Sequence, residues 1–348
     1  MAFIKSNFWV RFTNWEYWPL PLVYIPIYIY WFILSIKAGS FFFFTASNPG
    51  IEYGGMLGES KIKIMEALPP ELIPVTEFIT SSASSEMIQS IMTKRGLKYP
   101  VIFKPDIGER GWQVEIIHNI TELDQYLNEN KVNLLLQEYI DEPVELGIFY
   151  YRFPGEKKGK VTSIVEKEML KVQGDGSSSI LQLLQKKPRG KLQIKRLLKT
   201  RPELMSKIPD TDEVVTVVPI GNHRLGTAFL DGNKYINEKI NDLFDHISLK
   251  IKGFYFGRFD IRCKSIQDLE CGKMKIMELN GAGAEPAHIY HPGASIWKAY
   301  HVLFHHWKVM FQISLMNHNH GIPYLKFKDG MKAISELKKY NRNKSPYS

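Results

Sequence analysis

GFYFGRFDIR (residues 253–262) and KMKIMELNGAGAEP (residues 273–286) decide how this chain reads. In each, apolar and polar side chains alternate and Gly or Pro closes the run, the pattern of a short strand. QDLECG between them is long enough to turn the chain back, so an antiparallel pair is expected. Glu278 and Asn280 are two residues apart on one strand and share a face. Pairing brings Asp260 to that face, with Arg258 two residues before it. Two carboxylates and an amide are all oxygen donors, a set that suits a hard cation such as Mg²⁺ that also holds phosphate oxygens. The alternative is a surface hairpin with three solvated polar side chains.

The 348 residues suffice for one large or two modest domains, and 44% hydrophobic with 23% charged content is ordinary for a globular protein. Cys263 and Cys271 have neither metal-ligand nor redox spacing, and core or strand-end packing is their expected role. The net charge of +9 is uneven: residues 186–201 hold eight Lys or Arg and no acid, and 322–348 hold seven against Asp329 and Glu336. Such faces meet phosphate or anionic lipid, or are simply solvated. No nucleic-acid module accompanies them, and no nucleic-acid partner is expected.

Between Glu16 and Lys37 lie 20 uncharged residues, 17–36, YWPLPLVYIPIYIYWFILSI. The length matches a spanning helix and Trp and Tyr crowd its ends, yet Pro19, Pro21 and Pro26 interrupt its first half. Three readings stand: a spanning helix, a surface-lying or re-entrant segment, and a buried or partner-covered one. Membrane contact at the cytoplasmic face is the expectation, and otherwise a cytoplasmic protein. SFFFFTA (40–46) reads as a buried strand. From Thr76 to Tyr151 strands and helices alternate, with Lys104 ending YPVIFKP before the loop DIGERG, whose Gly108 and Gly111 would let backbone close over phosphates. NLLLQEYI follows as a strand. VVTVVPIGNHRLGTAFLDG is a strand with a Gly-containing exit. Asp175–Gly176 forms a turn before a helix capped by the serines 177–179.

Arg-x-Asp followed by Glu-x-Asn and a Gly-rich tail resembles the metal-binding core of the ATP-grasp ligases. The resemblance spans roughly residues 58–310, with its parts in order. It implies an α+β, ATP-grasp-like fold: two α+β subdomains clasping ATP, behind a short hydrophobic N-terminal region. The implied divisions are 1–57, an ATP-grasp domain over 58–316, and a basic tail over 317–348. By the same resemblance Asp260, Glu278 and Asn280 ligate Mg²⁺, two ions with Mn²⁺ as a substitute, and Arg258 steadies a reacting phosphate. Lys61 and Lys104 meet phosphates, with Arg258 and Lys104 the catalytic pair. The backbone of Gln137, Glu138 and Tyr139 meets the adenine edge, and Glu145 holds the ribose, with Glu142 as fallback. NHRLGTA resembles a segment of cyanophycin synthetase and related amino-acid ligases, and GAGAEPAHIYHPG resembles the substrate loop of the ATP-grasp family, which assigns Asn222, His223, Gly281 and Gly283 to the substrate. The implied activity joins a small-molecule carboxylate, activated as an acyl phosphate, to an amine, thiol or other nucleophile with release of ADP and phosphate. A homo-oligomer is compatible with it. The alternative is a membrane-associated ATP-binding protein with a regulatory or assembly role and no turnover.

Overall fold

The alternation that marks GFYFGRFDIR as a strand also sorts its side chains between two surfaces. Phe259, Ile261 and Cys263 enter a hydrophobic core, leaving Phe256, Arg258, Asp260 and Arg262 on the opposite face. The computed structural model describes residues 7–108 and 111–342. Lys5, residues 109–110 of the expected phosphate loop and residues 343–348 of the basic tail lie outside them.

Thr76–Ile79 (β1), Val101–Pro105 (β2), Glu115–Ile117 (β3) and Leu134–Glu138 (β4) form a sheet in the order β1-β4-β2-β3. Its core joins Val101, Phe103, Leu134 and Leu136 to the helices Ser85–Arg95 and Ile120–Glu129 through Ile88, Met92, Leu123 and Tyr126. Val144–Tyr151 (β5) and Lys160–Glu168 (β6) begin a second sheet, while Leu170–Gln173 (β7) and Val214–Val218 (β8) pair apart from it. Ala228–Asp231 (β9), Phe256–Cys263 (β10) and Lys275–Asn280 (β11) complete the second sheet in the order β11-β10-β5-β6-β9. All pairings are antiparallel. β10 and β11 pair as the alternation predicts, with Asp260 opposite Glu278 and Arg258 opposite Asn280, and a register shift follows Asp260.

The N-terminal region differs from the sequence reading. SFFFFTA is not a strand: Phe43–Ser47 is a short 3-10 helix, although Phe42, Phe43 and Phe44 are buried as expected. Consecutive phenylalanines have no period-2 alternation, and here all three enter one core with the helix Ile296–Asn319. Residues 17–36 do not form one helix either. The prolines open helices rather than interrupt one, standing in the first turns of Leu20–Val23 and Ile25–Ala38. The second of these has 14 residues, about 21 Å of helix against the roughly 30 Å of a bilayer core. No helix among the described residues is long and apolar enough to cross a membrane. The expected basic tail over 317–348 includes a helix. The helix Ile296–Asn319 runs into it, and the helix Phe327–Arg342 packs Phe327 on Phe41 and Phe42 and sets Tyr340 edge-on to Trp112.

Asn48 ties the N-terminal region to β10. Fully buried, it donates to the carbonyls of Gly54 (3.0 Å) and Phe256 (2.8 Å) and accepts from the amides of Tyr255 and Phe256, both at 2.9 Å. Truncation would leave buried backbone groups without partners, each costing about 1–3 kcal/mol. Asn48→Ala is therefore expected to lower stability by about 4 kcal/mol in urea unfolding. A loss under about 1 kcal/mol would show that the N-terminal region is held some other way.

A candidate phosphate and nucleotide site between two sheets

A cavity of about 1370 Å³ opens between the two larger sheets. Lys104, Gln137 and Tyr139 reach it from the first sheet, and Glu145, Arg258, Asp260, Glu278 and Asn280 from the second. Lys61, Asn222, His223 and Gly283 also line it, so most of the residues singled out in the sequence converge there.

Asp260 is the centre of this wall. Arg258 grips it with two hydrogen bonds, Nε to Oδ1 at 3.1 Å and Nη2 to Oδ2 at 3.0 Å. Lys167 Nζ stands 3.1 Å from Oδ1, and the Asn280 amide donates to Oδ2 at 3.1 Å. Burial alone would raise the carboxyl, but Arg258 and Lys167 overcome it and hold it down at about 2. Glu278 makes no hydrogen bond or ion pair among the described residues, and neither does the side-chain oxygen of Asn280. Together these residues offer an all-oxygen set that fits Mg²⁺. Among the described residues no cluster of three His, Cys, Asp or Glu is placed to hold a cation alone. An ion here would take the rest of its shell from phosphate oxygens and water, as Mg²⁺ at nucleotides does.

Lys104 ends β2 and points at the same wall, donating to Gln137 Oε1 (3.0 Å) and to the Met277 carbonyl (3.1 Å). Burial pushes its ammonium down to about 8; Glu278 and Asp260 draw it back up and Lys61 lowers it further. The Lys61 ammonium donates to the carbonyls of Gly108 (2.5 Å) and Asp106 (3.3 Å), holding the Gly-containing loop beside it. Lys63, two residues on, pairs with Glu52.

Several of the expected site residues have partners within the chain. Gln137 acts here through its side chain, bridging Lys104 and Thr76. Glu138 does not line the cavity: its amide bonds the Val75 carbonyl, and its carboxylate takes the Val75 amide. Glu145 lies in the cavity but is fully engaged by Lys167 (3.0 Å) and Arg262 (2.8 Å). Burial would raise its carboxyl, and these two cations hold it below the usual range. Lys167 and Arg262 are the residues the sequence reading missed. Arg262 was signalled by its place two residues after Asp260 on the same face, whereas Lys167, on β6, carried no local signal.

Of the residues expected to meet substrate, Gly281 is buried, and a side chain on it would strike the Gly54 carbonyl. The amides of Ala282 and Gly283 are taken by the carbonyls of Gly54 (2.9 Å) and Gly55 (2.8 Å), so the Gly283 amide is not open to a substrate. These glycines serve a close backbone crossing instead. Asn222 caps its own turn, accepting from the Arg224 amide. His223 is held by Glu16, 3.0 Å away, which also takes Arg189 at 2.6 Å. Trp15, Glu16 and Tyr17 thus form part of the cavity wall, a role the sequence reading did not give them.

Residues 58–148 match the RimK-like ATP-grasp domain. This stretch is ATP-grasp-like. It includes Lys61, Lys104, Gln137 and Glu145 and ends before β10 and β11. Similar solved structures include the D-alanine–D-alanine ligase of Bacillus anthracis, 15% identical, with 77% of this chain and 71% of that one covered and a TM-score of 0.44. The VanG D-Ala:D-Ser ligase of Enterococcus faecalis is 12% identical over 72% of this chain and 61% of its own, with a TM-score of 0.41. A bifunctional glutathione synthetase of Pasteurella multocida is 16% identical over 70% of this chain and 35% of its own, with a TM-score of 0.35. The chain thus spans about a third of that synthetase. These likenesses are loose, and the family assignment rests on residues 58–148. Comparison with curated proteins found no match.

The Lys104 ammonium is costly to fold around while it stays protonated. Below about pH 8 the folded and unfolded lysines are both charged and the full cost, up to about 3 kcal/mol, is present. Between about pH 8 and the ordinary lysine value the folded site sheds its proton first, and the cost falls. The stability of wild type relative to Lys104→Met is therefore expected to rise from pH 7 to pH 10 in urea unfolding. A difference that stays flat across that range would rule out a depressed lysine.

Proposed function

We propose that the chain is an ATP-dependent, ADP-forming ligase. ATP phosphorylates a substrate carboxylate to an acyl phosphate, and an amine or other nucleophile then displaces phosphate. The observation that carries this reading is that Lys104 from one sheet and Arg258, Asp260, Glu278 and Asn280 from the other face one cavity. Phosphoryl transfer asks a protein mainly for positioning and charge neutralisation. Lys61 and Lys104 suit the non-transferred phosphates, and Arg258 suits the charge that develops on the transferred group. Mg²⁺, when bound on Asp260, Glu278 and Asn280, supplies charge neutralisation across the phosphate oxygens. Arg258 and Lys167 hold Asp260 ionised across the working pH range, and a bound ion would share its oxygens with these two cations and Asn280.

Asp260→Asn and Glu278→Gln are each expected to lose most Mg²⁺-dependent ADP release when purified protein is screened with ATP and pools of amino acids, peptides and hydroxy acids. Wild-type turnover in both variants would overturn the metal assignment. Wild type that binds ATP without releasing ADP with any pool would favour the regulatory alternative. In the same assay Lys104→Ala should mainly weaken ATP binding, whereas Arg258→Ala should mainly lower turnover. An effect of Arg258→Ala on affinity alone would reduce Arg258 to a ground-state phosphate clamp.

A specific surface supports a second element of the reading, contact with an anionic membrane surface at its cytoplasmic side. The helix Ile25–Ala38 exposes Ile25, Ile29, Phe32, Ile33 and Ile36, a stripe at helical spacing, and Leu22 and Trp297 are exposed as well. No acidic residue lies between Glu16 and Lys37, and Glu16 is engaged inward by Arg189. Exposed Arg11, Lys37 and Lys298 supply the charge that anionic headgroups attract. The protein is expected to float with phosphatidylcholine–phosphatidylglycerol vesicles, and the double variant Ile29→Glu, Ile33→Glu to stay at the bottom of the gradient. Wild type that remains unbound would overturn the membrane contact and leave the ligase reading intact.

A further inference from the structure

A second cavity, of about 330 Å³, adjoins the first. Met56, Leu57, Gly283, Ala284 and Glu285 line both, so the two meet along the turn that leaves β11. Two helices form its sides. Tyr24, Tyr28 and Trp31 line it from the helix Ile25–Ala38 and its N-cap, and Leu303, His306, Trp307 and Met310 from the helix Ile296–Asn319. Both sets recur every three or four residues, the spacing of one helix face. Phe42, Phe44 and Phe256, all buried, close its floor. Its volume lies at the lower end of the roughly 300–1,000 Å³ of small-molecule sites.

The lining is almost wholly carbon. Glu285 and His306 are the acid and the base among its lining residues, and burial drives both toward their uncharged forms, Glu285 up to about 7 and His306 down to about 4. The polar atoms of His306 are also spent: Nδ1 donates to the Val302 carbonyl at 2.7 Å, and Nε2 meets the Thr162 hydroxyl at 2.9 Å. Protein interiors are close-packed, with few voids larger than a water, and an apolar cavity stays dry and takes apolar groups. Its position says which group. Phe256 and Arg258 share one face of β10, two residues and about 7 Å apart along the strand. Arg258 also donates to the Glu285 carbonyl, on the rim common to both cavities, at 3.3 Å. The apolar pocket, Arg258 and the oxygen set around Asp260 thus follow one another along one strand face. A molecule whose head meets the reacting phosphate at Arg258 has its tail at Phe256.

We propose that the carboxylate substrate is a lipophilic acid, whose aliphatic chain lies in this second cavity while its carboxylate reaches Arg258. The proposal rests on the ligase reading and names the substrate class of that site. In the step so positioned, a carboxylate oxygen bonds the terminal phosphorus of ATP. The bond from that phosphorus to the bridging oxygen breaks, and ADP leaves with the electron pair. Selectivity comes from the walls. Each methylene that leaves water for such a pocket strengthens binding about fourfold, whereas a polar side chain loses its water there and finds no partner. The helix Ile25–Ala38 stands between the pocket and the exposed stripe of Ile29, Phe32 and Ile33. The inner cavity and the outer apolar surface are therefore separate features, open to separate tests.

Straight-chain acids from hexanoate to myristate, titrated into the full-length protein by calorimetry, test the pocket. Affinity is expected to rise about fourfold per added methylene and to level off once the pocket is full. Ala284→Phe narrows the shared rim, and Tyr28→Asp sets a charge on a half-exposed wall position that needs no core repacking. Each is expected to weaken laurate on the order of 100-fold, and hexanoate far less. The outer-stripe variant Ile29→Glu, Ile33→Glu should keep laurate binding. Affinity independent of chain length, laurate binding kept in both pocket variants, or laurate binding lost only in the outer-stripe variant would overturn the pocket. Turnover then assigns the chain. With Mg²⁺-ATP and hydroxylamine, which traps an acyl phosphate as a hydroxamate, laurate is expected to give hydroxamate with a higher kcat/KM than hexanoate. Hydroxamate from hexanoate but none from laurate would overturn the lipophilic acid and leave the ligase reading standing. Absence of both hydroxamate and ADP with every acid would overturn the ligase reading itself, while calorimetry still decides the pocket.

Discussion

The ion-pair cluster around Asp260 is the constraint on which the cavity depends. A buried carboxylate is tolerable only when its oxygens are answered, and Asp260 is answered by Arg258, Lys167 and Asn280 at once. Lys167 then reaches Glu145, and Glu145 reaches Arg262. The chain of contacts therefore fixes groups from β5, β6, β10 and β11 in one sheet face. Across the cavity Lys104 and Lys61 add two further cations. Arg258 and Lys167, the two cations in contact with it, are what hold the Asp260 carboxyl down against its burial.

Segments near both ends of the described residues line this cavity. Asn48 and the Gly54–Gly55 crossing clamp the N-terminal region to β10 and to the loop after β11. Trp15, Glu16 and Tyr17, earlier in the same region, form part of the cavity wall beside His223. At the other end Leu337 of the helix Phe327–Arg342 also lines the cavity, close to Gly58. The hydrophobic N-terminal run is thus two-faced. One side of the helix Ile25–Ala38 is core, through Ile27 and Leu34, and the other is exposed apolar surface. A single uncharged run can serve both because a helix separates its residues by 100° steps.

Glu285 and His223 illustrate how surroundings, more than residue type, assign a role. His223 sits in a loop that resembles a substrate loop, but Glu16 already occupies it. Glu285 belongs to a run in which the glycines drew attention, yet its side chain faces the cavity, where it accepts a hydrogen bond from Tyr290 and has no cation partner among the described residues. The glycines around it serve backbone crossings, where a Cβ would strike a carbonyl.

The sequence by itself determined the strands β10 and β11, their antiparallel pairing and the shared face of Arg258, Asp260, Glu278 and Asn280. It also determined the strand that ends at Lys104. Those features are written in alternation and turn residues within about a dozen positions, and local backbone geometry reads them directly. Phe42–Phe44 were legible as buried but not as a 3-10 helix, since burial on all sides carries no period. What only the tertiary structure decided is who meets whom. Glu16 finds His223 across 207 residues, Lys167 joins Glu145 to Asp260, and Gly54 and Gly55 take the amides of Ala282 and Gly283. Such contacts follow from how sheets and helices stack, and no spacing within a local window encodes them.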